Sequence, residues 1–384
     1  MMKNPLFNLR EYGQSIWFDT LSRKLVTSGG LQKMIDEYAV VGVTSNPTIF
    51  DKAISGSAEY DEDIRQLADA GWSAPQIYEK LATEDVRAAC DVLGPVYEQT
   101  NRVDGRVSLE VSPHLAFSPE ETMEEARRLW RTVDRPNLMI KIPGTYESIP
   151  AVEQMIYEGL SINITLLFAV SIYEKVMEAY FKGLERRVAE RKPLDQVHSV
   201  ASFFVSRVDT MVDKELEAKI HAAQSPAEQE RLKRLLGKAA NANARMAYQA
   251  FKRVFSGPRW EALKAKGANL QRPLWASTST KNPAYPDTLY VTELIGPHTV
   301  NTVPESTLLA FADHGVVRGN TVEEDLEGTR EMLRQLAETG IDLDDITGRR
   351  LVDEGVRLFS DSFDKLTAGL RKKLEGILSK NLSD

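Results

Sequence analysis

Residues Leu138-Met139-Ile140-Lys141-Ile142-Pro143 form a short apolar run that a single lysine interrupts and that Gly144 and Thr145 follow. A run of this length, partly β-branched and bounded by turn residues, predicts a β-strand. Seven further runs share these properties: Ile16–Phe18, Val40–Val43, Val107–Val111, Ile162–Phe168, Val200–Val205, Leu274–Ala276 and Val300–Val303. The sequence therefore predicts eight strands.

Helical patterns fill the intervals between these runs. Capping boxes are predicted at Ser73–Gln76 and Ser118–Glu121, with Pro119 at the first helical position of the second. Gly159 is predicted as a left-handed helix cap. Apolar residues recur at helical spacing in two clear stripes: Leu31, Met34, Ile35 and Tyr38, and Tyr173, Val176, Met177, Tyr180 and Leu184.

Alternating strands and helices predict an α/β fold with a parallel sheet and right-handed crossovers. Eight units favour a closed (β/α)8 TIM barrel over an open doubly wound sheet. The open sheet remains the alternative, although no Gly-x-Gly-x-x-Gly follows the first strand.

Three segments exceed the minimal barrel. The connections Asp51–Asp104 and Thr210–Arg272 are predicted as helical insertions. The segment Glu354–Ser379 is predicted as a terminal helix packed on the barrel. Its apolar face contains Val356, Phe359, Phe363, Leu366 and Leu370. Because no linker composition separates these segments, we expect one domain over residues 1–384.

Composition excludes several classes of protein. The net charge of -8 argues against nucleic-acid binding, which usually needs a basic face. The five histidines show no metal-ligand spacing, and the single cysteine, Cys90, suits a reducing compartment. We find no signal-peptide pattern and no apolar run long enough for a membrane span, so we expect a soluble cytoplasmic protein. The sequence leaves open whether it is a monomer or a homodimer.

Polar residues stand at or near the carboxyl ends of several predicted strands, where barrel enzymes carry their active sites. They are Asp19, Asn46, Glu110, Lys141, Asn163, Thr165 and Ser202.

Lys141 is the most informative of these residues. A lysine between isoleucines is costly to desolvate as a cation, and burial favours the neutral amine that attacks a carbonyl. The alternative is a structural ion pair with Asp19 or Glu110. Hydroxyl residues such as Thr165 could simply fill the barrel. Together, an amine, two carboxylates and several hydroxyl and amide groups suit carbonyl chemistry.

Four motifs, in order along the chain, resemble those of the transaldolase family, in its long bacterial form within the class I Schiff-base aldolases. The likeness covers about residues 12 to 310, and Ser206 stands where many members have glycine. The motifs are Thr44-Ser45-Asn46-Pro47-Thr48-Ile49-Phe50, Leu138 to Thr145, Ile162 to Phe168, and Ser202-Phe203-Phe204-Val205-Ser206-Arg207-Val208.

The resemblance implies transfer of a dihydroxyacetone unit between sugar phosphates in the pentose phosphate pathway. Lys141 is then the imine-forming lysine, and Asp19 takes the proton from the C4 hydroxyl of the donor. Glu110 and Thr165 position the water that shuttles protons. The residues implied to bind the donor sugar are Asn46, Asn163, Ser202 and Phe204. Because the protonated imine is the electron sink, no metal and no organic cofactor is expected.

For the phosphate, the resemblance implies Arg207 together with Ser279 and Lys281. Many family members have a second arginine where Lys281 stands, and lysine offers a point charge without a bidentate fork. Two alternatives remain open: a Schiff-base aldolase that releases free dihydroxyacetone, and a catalytically silent barrel that binds sugar phosphates.

Overall fold

The computed structural model describes residues 4–381, with side chains described up to residue 376. Residues 1–3 and 382–384, which the expected single domain includes, lie outside the described part of the chain. Within residues 4–381, parallel strands pair in sequence order and the last pairs with the first, which closes a barrel. The strands are β1 (Gln14–Phe18), β2 (Val40–Thr44), β3 (Arg106–Glu110), β4 (Leu138–Pro143), β5 (Ile162–Leu167), β6 (Ser199–Phe204), β7 (Gln271–Ala276) and β8 (Thr299–Val303).

The α-helices surround the barrel and form its insertions. They are α1 (Arg23–Thr27), α2 (Gly30–Tyr38), α3 (Pro47–Ser55), α4 (Asp61–Asp69), α5 (Ala74–Gln99), α6 (Pro119–Val133), α7 (Ile149–Glu158), α8 (Val170–Ala189), α9 (Ser206–Ala222), α10 (Pro226–Lys233), α11 (Ala239–Val254), α12 (Pro258–Lys264), α13 (Leu289–Thr292), α14 (Glu305–His314), α15 (Leu326–Glu338), α16 (Leu343–Asp345) and α17 (Leu351–Asn381). Short 3-10 helices lie at Pro5–Tyr12, Ala58–Tyr60, Pro113–Leu115 and Thr321–Glu323, and one π-turn at Ile346–Arg350.

The barrel, the two helical insertions and the terminal helix confirm the sequence predictions. Helix α5 begins at the predicted capping box, where the Ser73 backbone N–H donates to Gln76 Oε1 at 2.9 Å. Helix α7 ends at Gly159, which has a φ of 101°. The capping box predicted at Ser118 is wrong. Helix α6 begins at Pro119 as expected, but Ser118 makes no side-chain cap. None of the described helices has both the length and the hydropathy that a bilayer crossing needs.

The strand register brings the predicted polar residues together. Lys141 on β4 pairs with Glu110 on β3 and with Asn163 on β5. Further along, the register between β5 and β6 shifts, and Leu166 takes a left-handed backbone with a φ of 58°. Such a bulge re-aims side chains at the rim of a barrel.

Helix α17 lies against the insertion helices α3, α4 and α5 and reaches β5. Leu366 and Leu370 are buried, and Phe363 packs edge-on against Tyr78 of α5 at 5.4 Å between ring centroids. The terminal helix is therefore part of the wall around the barrel mouth.

Candidate active site

A cavity of about 190 Å³ opens at the carboxyl ends of the strands. Eight of the eleven predicted site residues line it: Asp19, Asn46, Lys141, Ser202, Phe204, Arg207, Ser279 and Lys281. The other three, Glu110, Asn163 and Thr165, are buried in the barrel beside it. The two groups are connected, since Glu110 contacts Lys141 and Asn163 contacts Ser202.

Lys141 is buried, with its side chain 5% exposed. Its Nζ donates to Glu110 Oε2 at 3.1 Å and to the Ser45 carbonyl at 3.3 Å. The ion pair considered as an alternative therefore exists, with Glu110. It does not compete with a nucleophilic role, because the same amine lines the cavity. A buried base beside the amine can take up its proton.

Asp19 follows β1, and its carboxylate accepts a hydrogen bond from Thr44 Oγ1 at 2.7 Å. Thr44 Oγ1 lies equally close to Thr302 Oγ1, at 2.7 Å. Burial raises the pKa of Asp19, and the nearby Lys141 ammonium opposes this rise. A carboxylate held at the cavity wall with a raised pKa is suited to exchanging a proton with a bound hydroxyl.

Glu110 and Thr165 share an unusual property. Glu110 Oε1 and Thr165 Oγ1 are both buried and have no hydrogen-bond partner among the described residues. Burial raises the pKa of Glu110, which Lys141 lowers in part. Buried polar atoms without protein partners are the usual binding sites of internal water. The pair therefore fits the predicted water-positioning role.

A hydrogen-bonded chain crosses three strands beside Lys141. Ser202 Oγ donates to Asn163 Oδ1 at 2.7 Å, and Asn163 Nδ2 donates to Ser108 Oγ at 3.0 Å. Asn163 therefore makes one hydrogen bond within the protein at each end of its amide and links Ser202 to Ser108. Of the two, only Ser202 lines the cavity, and the expectation that Asn163 binds the donor sugar stays a prediction.

Asn46 and Phe204 also line the cavity. Asn46 is the N-cap of α3, and its Oδ1 accepts from the Ile49 backbone N–H at 3.0 Å. Capping fixes the side chain and leaves its amide nitrogen as a donor. The Phe204 ring packs on Phe168, with 5.2 Å between their centroids.

A cationic pair lies at another side of the cavity. Arg207 is at the start of α9, and its buried NH1 nitrogen has no hydrogen-bond partner among the described residues. Lys281 Nζ donates to Ser279 Oγ at 2.7 Å. Burial lowers the pKa of Arg207. The side chain of Lys281 reaches solvent. Its partial burial is the largest cause that lowers the pKa of Lys281, and the charge of Arg207 is the second. Two mutually repelling cations next to a helix start form a suitable anion site.

Two buried carboxylates hold the loop that carries Lys281. Asp213 accepts from the Tyr285 hydroxyl at 2.7 Å, and Asp209 accepts from the Tyr290 hydroxyl at 2.8 Å. Both acids belong to α9, the helix that also carries Arg207. The two cations are therefore held on one connected unit.

Sequence reasoning missed Thr44, Thr302 and Phe359, which line the cavity. Thr44 is the first residue of the motif that contains Asn46, so its position after a predicted strand could have indicated a site residue. Thr302 lies on β8, and the sequence predicted that run only as a strand. Phe359 was predicted as a packing residue of the terminal helix, and no local signal connects it to Lys141.

A larger cavity, of about 630 Å³, lies at the opposite end of the barrel. Its lining includes the strand starts and the ion pair between Arg272 and Asp104, at 3.0 Å. Asp104 also accepts from Ser15 and Trp17, so this end is held by a structural network. Barrel enzymes place catalysis at the other end, where Lys141 lies.

The fold and site define a class of barrel protein in which a buried lysine on a strand lines a cavity at the carboxyl ends of the strands, together with a carboxylate and two cations. A family model described as transaldolase/fructose-6-phosphate aldolase matches residues 16–370. The chain belongs to this family.

Curated relatives named transaldolase match nearly the whole chain. One, from Parafrankia sp. (strain EAN1pec), is 50% identical over 97% of this chain and 99% of the relative. Another, from Acidothermus cellulolyticus, is 52% identical over 97% of this chain and 98% of the relative. One from Mycobacterium tuberculosis is 48% identical over 97% of this chain and 98% of the relative. This full-length similarity supports transaldolase activity.

Proposed function

We propose that this protein transfers a dihydroxyacetone unit from a ketose phosphate to an aldose phosphate through an imine on Lys141. The donors are sedoheptulose 7-phosphate or fructose 6-phosphate, and the acceptors are glyceraldehyde 3-phosphate or erythrose 4-phosphate. One observation carries the proposal: a buried amine 3.1 Å from a buried carboxylate lines a cavity that also contains a second carboxylate and a cationic pair.

Imine formation begins when the Lys141 amine attacks the C2 carbonyl of the donor. Glu110 accepts a proton from the amine and, through a water held with Thr165, returns it to the carbinolamine hydroxyl, which leaves as water. The unpaired buried oxygens of Glu110 and Thr165 support this assignment. The same groups run the steps in reverse when the imine is hydrolysed.

Carbon–carbon cleavage follows from the protonated imine. Asp19 accepts the proton of the C4 hydroxyl, the C3–C4 bond breaks, and its electron pair moves to the imine to form an enamine on Lys141. The aldose phosphate leaves. An acceptor aldehyde then enters, its oxygen takes the proton back from Asp19, and the new C–C bond forms. The Thr44 hydrogen bond keeps the carboxylate aimed at the cavity.

Donor recognition uses both sides of the cavity. Asn46 and Ser202 bind donor hydroxyls, Asn163 holds Ser202 in place, and Phe204 packs against the carbon chain. Arg207, Ser279 and Lys281 bind the terminal phosphate, which gives a partner to the buried NH1 nitrogen of Arg207 that has none among the described residues. We also infer that the enzyme works in the cytoplasm, as its single cysteine and its metabolic substrates suggest.

The second candidate is an aldolase that releases free dihydroxyacetone, an activity that the family description also names. It uses the same lysine and the same cleavage step. The two differ in the fate of the enamine, because an aldolase hydrolyses it and a transaldolase retains it for an acceptor. Dependence on the acceptor therefore separates them.

The test is a coupled assay with fructose 6-phosphate, run with and without erythrose 4-phosphate. We expect sustained glyceraldehyde 3-phosphate formation only with the acceptor. Borohydride added to enzyme and donor alone should trap the three-carbon adduct on Lys141, and Lys141→Ala should abolish both trapping and turnover. An adduct on another lysine would refute the nucleophile, and rapid turnover without acceptor would favour the aldolase. Addition of EDTA should leave the rate unchanged.

A further inference from the structure

The terminal helix α17 contributes one side chain to the site. Phe359 lines the cavity and is only 6% exposed. Its ring centroid lies 5.9 Å from Lys141 Nζ and 5.8 Å from Arg207 Cζ. A single apolar ring therefore contacts both the reacting amine and the cation assigned to the phosphate.

A glycine one turn earlier lets the helix come this close. A Cβ at Gly355 would lie 2.8 Å from Leu166 Cδ2 and 3.7 Å from Arg207 NH1. Glycine is a poor helix former, so its presence inside α17 serves this close approach. Leu166 is the residue at the β5 bulge. Gly355 and Leu166 are therefore closely packed one turn before Phe359.

Polar contacts anchor this turn of α17 to α3. Thr48 Oγ1 donates to Ser362 Oγ at 2.9 Å, and Lys365 pairs with Asp51 at 2.7 Å. Helix α3 begins at Asn46, which lines the cavity. The ring is therefore fixed relative to the donor-binding side of the site as well as to Arg207.

Arg207 lies within reach of two aromatic rings. The Phe204 centroid is 5.6 Å from Arg207 Cζ, and the Phe359 centroid is 5.8 Å from it. Aromatic faces attract a guanidinium and leave its N–H edge free for hydrogen bonds. The NH1 nitrogen of Arg207 has that freedom.

We propose that Phe359 is a positioning residue of the active site, with two effects. It holds Arg207 in the orientation that receives the phosphate, and it keeps water from the enamine on Lys141 until an acceptor arrives. This inference rests on the proposed transaldolase function and goes beyond it by assigning a role to the terminal helix.

The second effect concerns a defined side reaction. Protonation of the enamine carbon gives the iminium ion, and water then adds to its C2 carbon and loses a proton. The resulting carbinolamine breaks its C–N bond and releases dihydroxyacetone and the free Lys141 amine. The net consumption is one water molecule per enamine. A ring that keeps bulk water from the cavity side of the amine slows this reaction, whereas the water held by Glu110 and Thr165 still serves imine formation and hydrolysis.

The experiment compares Phe359→Ala, Phe359→Leu and the control Leu358→Ala with the unmodified chain. Leu358 is the neighbouring residue on α17 and is 37% exposed. The first measurement is the release-to-transfer ratio, which compares free dihydroxyacetone with transferred product at limiting erythrose 4-phosphate. The second is the KM ratio, which compares KM for fructose 6-phosphate with KM for unphosphorylated fructose.

For Phe359→Ala we expect a severalfold rise in the release-to-transfer ratio. We also expect a roughly 2- to 10-fold rise in KM that is confined to the phosphorylated donor, since a cation–π contact is lost. Phe359→Leu keeps an apolar cover, so it should raise KM similarly but change the release ratio less. Leu358→Ala should match the unmodified chain.

A purely structural role for Phe359 would lower thermal stability and leave both ratios unchanged, and that result would overturn the inference. If Phe359→Ala does not fold, the test depends on Phe359→Leu and on the ratio of KM for fructose 6-phosphate to KM for unphosphorylated fructose. A ratio equal to that of the unmodified chain would refute the proposal that Phe359 orients Arg207. Failure of the unmodified chain to transfer to erythrose 4-phosphate would instead refute the proposed function, so the two failures are distinguishable.

Discussion

At the residue scale, the two carboxylates near Lys141 have different surroundings. Glu110 is buried against the amine at 3.1 Å and does not line the cavity. Asp19 lines the cavity and accepts from Thr44. Glu110 contacts the amine and is placed to act on the amine or on a water beside it, whereas Asp19 lines the cavity in which a substrate hydroxyl would lie. Position therefore separates two acids of similar chemistry.

The prediction from this difference concerns single steps of the reaction. Asp19→Asn should slow C–C cleavage by roughly 10²- to 10⁴-fold, the usual loss for a positioned acid–base group, and still allow imine formation. Glu110→Gln should slow imine formation and hydrolysis instead. Borohydride trapping of the intact donor adduct, timed against release of the aldose phosphate, measures the two steps separately.

An exposed carboxylate on α17 provides the control. Asp361 accepts from Arg357 at 3.1 Å on the solvent side of the helix, and Asp361→Asn should leave both steps unchanged. Cleavage at the unmodified rate by Asp19→Asn would remove Asp19 from the mechanism.

At the scale of elements, the phosphate site depends on two neighbouring βα connections. Arg207 lies where β6 passes into α9, and Lys281 lies in the loop after β7. The Ser206 backbone N–H donates to the Ser277 carbonyl at 3.1 Å, so the two connections are joined directly. Tyr285 and Asp213 join them again further out. The cations converge because these connections are fastened to each other.

We predict that Arg207→Ala raises KM for phosphorylated donors by about 10- to 100-fold, which is the loss expected for one charged hydrogen bond. Lys281→Ala should have a smaller effect in the same direction, because an ammonium offers no bidentate fork. Unphosphorylated fructose should show neither effect. Steady-state kinetics on the matched donors measures this, with Lys182→Ala on the outer face of α8 as the control. Equal losses on both donors would mean that these residues support the fold.

The elements also show how far the sequence could predict the molecule. Strands and helices were predictable because each repeats a local pattern, such as the apolar run around Lys141. The grouping of polar residues at the strand ends was predictable for a different reason: parallel strands bring their carboxyl ends to the same end of the barrel. The bulge at Leu166 was not predictable, because no glycine or other turn residue beside it in the sequence indicates a left-handed backbone.

The position of Phe359 at the cavity could not be predicted from the sequence either, because it depends on contacts between residues far apart in the chain. In the sequence it belongs to an apolar helical stripe, and the stripe correctly predicted packing. Which member of the stripe faces the cavity depends on where the helix crosses the barrel mouth. That position is fixed by contacts with α3, more than 300 residues away in sequence, such as Lys365 with Asp51.

At the scale of the whole molecule, several carboxyl groups are buried at the barrel mouth and behind it. Asp209 is 1% exposed and accepts from the Ala240 backbone N–H at 2.7 Å and from Tyr290. Burial, the largest cause, and the neighbouring Asp213 together raise its pKa to about 7, although the hydrogen bonds from Ala240 and Tyr290 oppose the rise. The folded state therefore binds a proton at Asp209 that the unfolded chain releases near its ordinary pKa of 3.8.

The sign of the effect on stability follows from this. Because the folded pKa lies above the unfolded pKa, Asp209 contributes its full stability below about pH 4 and loses it as pH rises towards about 7. Asp209→Asn removes this titration. The unfolding free energy of the variant, taken relative to that of the unmodified chain, should therefore increase with pH across this window, by at most about 1.4 kcal/mol per pH unit.

Urea unfolding at pH 4.5, 5.5, 6.5 and 7.5 measures this difference, and a Glu331→Gln variant supplies the control. Hydrogen bonds from Arg334 lower the pKa of Glu331 to about 2 from an ordinary value of 4.5, so Glu331 is charged in both states from about pH 5.5 upward. From about pH 5.5 upward the control difference should be flat while the Asp209→Asn difference rises. If the Asp209→Asn difference were also flat, Asp209 would be ionised in the folded protein. Its two donors would then outweigh burial, and the loop that carries Lys281 would be held by a charged acid at every pH tested.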